Sequence, residues 1–211
     1  MFGFLRGKKK NVFTDHGQYF SKLFAVIPVK NFLEFGLGEG TRFFLDNCQR
    51  VMSVELATGP MHSPSSLWFE KCQNMYANYQ SWTPLYHECG DSLSKADQIA
   101  RVEKIHPATK DGDYLHELRD LVDTIFAENS FDLAFVDCGI HTRGDIVNLL
   151  FDKVDIIAAH DFNDSPEVYG WDIIKVPSNY KMVRFSKGQG TVFLVKENHW
   201  QAIASLRNVS E

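Results

Sequence analysis

The sequence contains no hydrophobic run of the roughly 18–20 residues that a membrane-spanning helix requires, so we expect no contact with a membrane. The N-terminal segment is basic at Arg6 and at Lys8–Lys10, but no apolar segment follows, and it does not have the pattern of a secretory signal. Cysteine is scarce: the four cysteines show neither C-x-x-C spacing nor a paired framework, which indicates reduced thiols. These absences together predict a cytoplasmic chain.

Basic residues are also not in excess. The chain has 22 basic against 27 acidic residues and a formal net charge of −5, whereas a dedicated nucleic-acid binder carries a basic face. The composition therefore argues against nucleic acid as a partner. A length of 211 residues with 44% hydrophobic and 13% aromatic side chains predicts one packed domain, and a homo-oligomer stays open.

One glycine is missing from an otherwise glycine-rich turn. The short apolar run Phe32–Phe35 is followed by glycine at every second position, at Gly36, Gly38 and Gly40. A dinucleotide fingerprint, G-x-G-x-x-G, would place its third glycine at position 41, which is Thr41. The pattern predicts a buried strand and a turn whose backbone takes positive φ or lies against a ligand; a turn without a ligand is the alternative.

A second carboxylate follows at Glu55, which ends the apolar run 51–55. In doubly wound folds an acid at the tip of the second strand accepts hydrogen bonds from a ribose diol, although a solvated strand end is the simpler explanation. The pattern E-x-G-x-G-x-G from Glu34, followed by Glu55, resembles the Rossmann-like (class I) S-adenosylmethionine-dependent methyltransferases. The resemblance implies that S-adenosylmethionine is the cofactor and that it contacts Glu34, Gly36, Gly38, Gly40 and Glu55.

Strands that alternate with helices predict an α/β fold with a doubly wound, mostly parallel sheet. The resemblance covers about residues 30–196 and implies seven strands, helices on both faces and a C-terminal antiparallel hairpin. We expect a tail and helix over 1–29 and the Rossmann-like domain over 30–211, with a helical insertion at about 93–129. The strands are expected at 32–35, 51–55, 85–89, 132–136, 154–159, 180–185 and 191–196.

The third strand runs into Gly90-Asp91-Ser92, which resembles the adenine-binding segment of the same family. The resemblance implies that Asp91 and Ser92 bind the adenine ring of the cofactor. Asp91 is equally suited to cap the N-terminus of a following helix, so both interpretations stay open.

Acids and histidines also follow the fourth and fifth strands. Asp137 with His141, and His160 with Asp161, resemble a subgroup of small-molecule O-methyltransferases. The resemblance implies Mg²⁺ held by Asp137 and Asp161, with Asp161 part of the catalytic centre and His141, or else His160, as the base. A cation bound to a hydroxyl oxygen lowers its pKa, and oxygen ligands suit Mg²⁺.

Because the sequence departs from that subgroup at two positions, the identity and the presence of a metal ion stay open. His141 follows Asp137 by four positions rather than three, and His160 stands where the subgroup often has an acid. A transition metal, or no metal at all, is therefore an alternative to Mg²⁺. Without a metal, Asp137 would orient the methionine end of the donor, and Asp161 could cap the loop after the fifth strand. His16, by contrast, has no acid at a suggestive spacing and is expected at the surface or at an interface.

We therefore expect methyl transfer from S-adenosylmethionine to a small-molecule acceptor, at a hydroxyl oxygen. A non-catalytic protein that binds S-adenosylmethionine is the first alternative. A nicotinamide-dependent oxidoreductase is the weaker one, because Thr41 replaces the third glycine and no Tyr-x-x-x-Lys pattern is present.

Overall fold

The computed structural model describes residues 16–57, 64–88, 112–138, 143–164 and 166–206. Three predicted site residues, Asp91, Ser92 and His141, lie outside these ranges. The strands are β1 Asn31–Phe35, β2 Arg50–Ala57, β3 Trp82–Glu88, β4 Leu133–Val136, β5 Ile156–His160, β6 Tyr180–Phe185 and β7 Thr191–Lys196. The α-helices are α1 Gly17–Val26, α2 Thr41–Asn47, α3 Pro64–Tyr76, α4 Gly112–Glu128, α5 Arg143–Leu150, α6 Pro166–Tyr169 and α7 Trp200–Ala204.

The seven strands form one sheet in the order β3-β2-β1-β4-β5-β7-β6. The first five strands run parallel, and β7 is antiparallel to both β5 and β6. The predicted fold class is therefore confirmed, including the terminal hairpin. Because β1 lies between β2 and β4, Glu34 is paired with Ser53 on one side and with Phe135 on the other.

Both faces of the sheet are covered by helices. Phe32 and Phe135 point to one face and pack with α1, α2 and α3, while Leu33 and Ala134 point to the opposite face and pack with α4 and α5. Alternate residues of a strand point to opposite faces, and a parallel sheet needs both of them buried. This explains why β1 and β4 are almost continuously apolar.

The boundaries of β2 and β3 differ from those expected. β2 continues two residues beyond Glu55, to Ala57, and β3 begins at Trp82 rather than near residue 85. The two strands pair in parallel from Val51–Trp82 to Ala57–Glu88, so each is extended by hydrogen bonding to the other. β3 is an edge strand, and its half-buried side chains fit the less apolar sequence.

Within the described ranges, no helix is long and apolar enough to cross a bilayer. The cysteines in these ranges, Cys48, Cys72 and Cys138, are free thiols, in agreement with the expectation from their spacing.

The turn after β1 depends on Gly36. Its φ is +93°, and a Cβ atom at this position would overlap the backbone carbonyl of Asp137, which follows β4. Gly38 differs, since the atom nearest to its added Cβ would be Cζ2 of Trp68 at 3.6 Å, an ordinary contact. Gly36 is thus required by the packing of the chain on itself, whereas Gly38 is not.

These two glycines make a matched pair of variants. We expect Gly36→Ala to lower the free energy of unfolding by about 2–4 kcal/mol, because it combines left-handed backbone with overlap against a neighbouring strand end. Gly38→Ala should change it by less than about 1 kcal/mol. Urea denaturation measures both values, and equal stabilities of the two variants would contradict the packing role of Gly36.

Candidate active site

A cavity of about 710 Å³ opens at the carboxyl ends of β1, β4 and β5. Ligands of open α/β sheets bind at this edge, beside the point where the strand order reverses. The glycine loop Gly36–Gly40 forms one wall of the cavity, and the segments that follow β4 and β5 form another. The polar side chains that line it include Glu34, Asp137, Arg143, His160 and Asp161.

Side chains of α3 fix the shape of the glycine loop. Nε1 of Trp68 donates to the carbonyl of Leu37 at 2.8 Å, and the hydroxyl of Tyr76 donates to the carbonyl of Gly38 at 2.7 Å. The backbone N–H of Gly38 donates to Oγ1 of Thr41 at 2.9 Å. These hydrogen bonds fix the loop, and a ligand in the cavity can approach a backbone that carries no Cβ at three positions.

Glu34 is buried and joins the loop to the sheet. Its Oε1 accepts hydrogen bonds from the hydroxyls of Thr41, at 2.7 Å, and Ser53, at 2.6 Å. Nε1 of Trp82 donates to the Ser53 hydroxyl at 2.7 Å, which extends the network to β3. Burial raises the pKa of Glu34 to about 8, against the lowering effect of the two hydroxyl donors. Glu34 is therefore mostly protonated at neutral pH.

Thr41 explains the missing third glycine. Its hydroxyl accepts from Gly38 and donates to Glu34, so it closes the loop onto the strand that precedes it. Glycine could do neither. The departure from the dinucleotide fingerprint thus has a structural function in this turn.

Glu55, on β2, contacts the loop through the backbone of Leu37. Its Oε2 is 3.4 Å from the backbone nitrogen of Leu37, a long hydrogen bond, and burial raises the pKa of Glu55 to about 7. In the part of the chain that the structure describes, Glu55 does not contribute to the cavity wall. Its contact with a ribose therefore stays a prediction.

Arg143 lies between the acids that follow β4 and β5. Its Nη1 is 3.0 Å from Oδ1 of Asp137 and 2.8 Å from Oδ2 of Asp161. Nε donates to the carbonyl of Cys138 at 2.7 Å, and Nη1 also donates to the carbonyl of His160 at 2.9 Å. Burial alone would raise the pKa of Asp137, but the hydrogen bond from His160 and the charge of Arg143 outweigh it and hold that pKa below its usual value.

His160 faces both carboxylates. Its Nδ1 is 3.2 Å from Oδ1 of Asp161 and 3.4 Å from Oδ1 of Asp137. The imidazole is buried, and the ring of His16 packs edge-on against it with 4.7 Å between centroids. The expectation that His16 lies at the surface is wrong: His16 is only 3% exposed, because it precedes α1 and enters the cavity wall beside Phe44 and Phe135.

Asp161 has an unusual backbone. Its φ of 61° is left-handed, a region that costs a residue other than glycine about 1–3 kcal/mol and is frequent at functional sites. Nε1 of Trp171 and the backbone N–H of Asp164 both donate to its carbonyl, each at 3.1 Å. These bonds hold the carbonyl in place while the carboxylate faces Arg143 and His160.

The arrangement of Asp137 and Asp161 does not fit Mg²⁺ between them. One guanidinium nitrogen contacts both carboxylates, so the position where a shared ion would lie is taken by Arg143. A different group could hold a transition metal: among the described residues, His16, Asp137 and His160 offer ligand atoms within 4.8 Å of one another. Imidazole nitrogens favour such ions over Mg²⁺.

The structure brings most of the predicted site residues to one cavity: Glu34, Gly36, Gly38, Gly40, Asp137, His160 and Asp161. Among the other lining residues, His16 and Arg143 were not expected at the site from the sequence. Arg143 did leave a signal, because a cation in the first turn of a helix opposes the helix dipole and calls for a compensating acid.

No protein-family model matches the sequence, and no curated protein matches it either. Solved structures do match. A caffeoyl-CoA O-methyltransferase-like protein of Staphylococcus aureus superimposes with a TM-score of 0.56 at 11% identity, over 85% of this chain and 81% of that one. The chain has the class I methyltransferase fold.

Two further structures support this class I methyltransferase fold. The methyltransferase PaMTH1 of Podospora anserina, solved with S-adenosylhomocysteine bound, has a TM-score of 0.54 at 13% identity, and 91% of this chain and 83% of that one are covered. A methyltransferase-like protein of Silicibacter pomeroyi has a TM-score of 0.53 at 13% identity, over 92% and 94% of the two chains. At such identities the similarity establishes the fold alone.

The buried acid Glu34 gives a test by pH. Its pKa rises from 4.5 to about 8 on folding, so between these values the folded chain keeps a proton that the unfolded chain loses. Stability from this group is complete below pH 4.5 and is lost as pH rises toward 8. Glu34→Gln keeps an acceptor for both hydroxyls and should remove this loss. Urea denaturation should show the variant gaining about 2–4 kcal/mol over the parent between pH 5 and pH 8.

The exposed Glu197→Gln is the control for this comparison, since its carboxylate is at the surface. It should follow the pH profile of the parent protein. Parallel profiles for Glu34→Gln and the parent would show that Glu34 is ionised in the folded state at neutral pH.

Proposed function

We propose that the protein transfers a methyl group from S-adenosylmethionine to a hydroxyl oxygen of a small-molecule acceptor. The observation that supports the proposal is that one cavity has two walls of different chemistry. A glycine loop with open backbone forms one wall, and a histidine held by two carboxylates forms the other. The class I methyltransferase fold agrees with this chemistry.

The cavity suits a donor that is cationic at sulfur. Its wall carries the carboxylates of Asp137, Asp161 and Asp164, with Arg143 the cationic side chain among the described lining residues. Asp137 is ionised, lies beyond β4 and would orient the methionine end of the donor. The glycine loop would hold the nucleoside, and Glu55 would bind its ribose. The bound sulfonium supplies the methyl group, and positioning does most of the work.

His160 is suited to take the acceptor's proton. Because Nδ1 faces carboxylate oxygens of Asp137 and Asp161, the neutral imidazole carries its proton on Nδ1 and keeps the lone pair of Nε2. Carboxylates that fix a histidine tautomer in this way are a recurrent feature of acid–base catalysis. His141, outside the described residues, is the other candidate for the base.

Cofactor binding is the first test. We expect S-adenosylmethionine and S-adenosylhomocysteine to bind with micromolar affinity in isothermal titration, and NAD to show no binding. At a pH above the Glu55 pKa of about 7, Glu55→Ala should weaken binding by about 1.5–3 kcal/mol, the range for hydrogen bonds to a charged group. Glu88→Ala, at the end of the edge strand, is the control and should bind as the parent does. Tight NAD binding with no affinity for the sulfur ligands would reject the proposal.

Turnover is the second test. Release of S-adenosylhomocysteine is measured with a panel of hydroxyl compounds as acceptors. With any acceptor that is turned over, His160→Gln should lower kcat by about 10²–10⁴-fold, a larger effect than on cofactor affinity, because the base is lost while Arg143 still contacts Asp137. His116→Gln alters an exposed histidine on α4 and should be unaffected. Binding without turnover on every acceptor would favour the non-catalytic alternative, and full activity of His160→Gln would remove His160 as the base.

A further inference from the structure

The ends of β4 and β5 bring two carboxylates together around a single cation that belongs to the protein. β4 and β5 are neighbouring parallel strands, so Asp137 and Asp161 leave the sheet side by side. Nη1 of Arg143 lies 3.0 Å from one carboxylate and 2.8 Å from the other. We propose that Arg143 is a built-in cation that replaces a divalent metal ion at this position, so that the site works without a metal.

The contacts of Arg143 make it a fixed cation rather than a mobile side chain. Besides the two carboxylates, the guanidinium donates to the carbonyls of Cys138 and His160, and it lies over the ring of Tyr169 at 4.2 Å. The side chain is only 8% exposed. A guanidinium cannot lose its proton in a protein, and moving it away would leave two partly buried carboxylates without a counter-charge. An incoming metal would have to displace all of these contacts.

Arg143 acts through its neighbours and is therefore a positioning residue. The hydrogen bond from His160 and the charge of Arg143 together hold the pKa of Asp137 below its usual value, and both carboxylates that Arg143 contacts face Nδ1 of His160. A metal in this place would activate an acceptor hydroxyl directly. With a guanidinium there instead, removal of the acceptor's proton depends on a histidine base. This last step rests on the proposed methyl transfer, whereas the replacement of the metal does not.

The ion-binding experiment uses tag-free protein in the absence of any sulfur ligand or acceptor. In the parent protein, Mg²⁺ and Mn²⁺ at millimolar concentration should leave the melting temperature unchanged, and titration calorimetry should detect no binding. Arg143→Gln removes the cation and leaves Asp137 and Asp161 facing each other. This variant should gain one site for Mg²⁺ or Mn²⁺ that titration calorimetry detects, and the ion should raise its melting temperature.

Three further variants locate the effect. Arg184→Gln is the matched control, because Arg184 binds the carbonyl of Phe162 and the side chain of Asn163 near the same loop but contacts neither acid. It should gain no ion site. Arg143→Lys keeps the charge and should gain none either. The double variant Arg143→Gln with Asp161→Asn should lose the site that Arg143→Gln gained.

Activity gives a separate readout once an acceptor is found. The parent enzyme should be fully active after treatment with a chelator, and Arg143→Gln should be rescued in part by Mg²⁺ or by guanidinium ion. A merely structural arginine would not make the enzyme depend on an added cation. Failure of the proposed function would appear as absent binding of S-adenosylmethionine, and the ion titrations would be unaffected by it.

Four results would overturn the inference. One is stoichiometric binding of Mg²⁺ or Mn²⁺ by the parent protein, and another is a folded Arg143→Gln that gains no ion site. A third is loss of the parent's activity in chelator. The fourth is tight Zn²⁺ binding by the parent that disappears in His16→Gln, which would assign a metal to the cluster of His16, Asp137 and His160. If Arg143→Gln does not fold, the ion titrations of the parent protein and of the Arg143→Lys variant test the inference instead.

Discussion

The hydrogen-bond network around Glu34 is the constraint on which the cavity depends. It runs from the indole of Trp82 on β3 through Ser53 on β2 to Glu34 on β1, and from there through Thr41 to the backbone of Gly38. Three adjacent strands and the loop that follows the central one are thereby tied to one carboxyl group. Such networks stabilise most when every polar group in them is satisfied, because an unpaired group in a low-dielectric interior is costly. The loop can present backbone without Cβ atoms to a ligand because the network fixes its conformation.

The second polar cluster follows from topology. A parallel sheet delivers the residues after β4 and β5 to the same edge, so Asp137 and Asp161 meet without any special loop. Two carboxylates that are close enough to contact the same nitrogen atom repel each other unless a cation lies between them or one of them is protonated. Arg143 supplies the cation from the first turn of α5, where its own charge is opposed by the helix dipole and requires acids nearby. The acids and the arginine therefore compensate one another, and His160 is fixed as a consequence.

The sequence was sufficient for the architecture but only for part of the site. Short apolar runs and their spacing predicted the strands, and the hairpin 180–185 with 191–196 was located correctly, because alternation and glycine turns are local signals. Acids at the strand ends could also be placed together, since parallel strands end at one edge. His16 and Arg143 could not be placed in this way. The position of His16 is set by the packing of α1 on the sheet, and that of Arg143 by side-chain reach, and neither leaves a periodic pattern. The extension of β2 past Glu55 likewise depended on pairing with β3.

Glu34 and Asp137 line the same cavity but differ in charge, because their surroundings differ. Glu34 is surrounded by neutral hydroxyl donors, which do not overcome burial, so its pKa rises to about 8 and it holds a proton at neutral pH. Asp137 is beside Arg143 and His160, which do overcome burial, so it remains ionised. The difference in charge therefore follows from the donors around each carboxyl group, which are neutral hydroxyls at Glu34 and a guanidinium at Asp137.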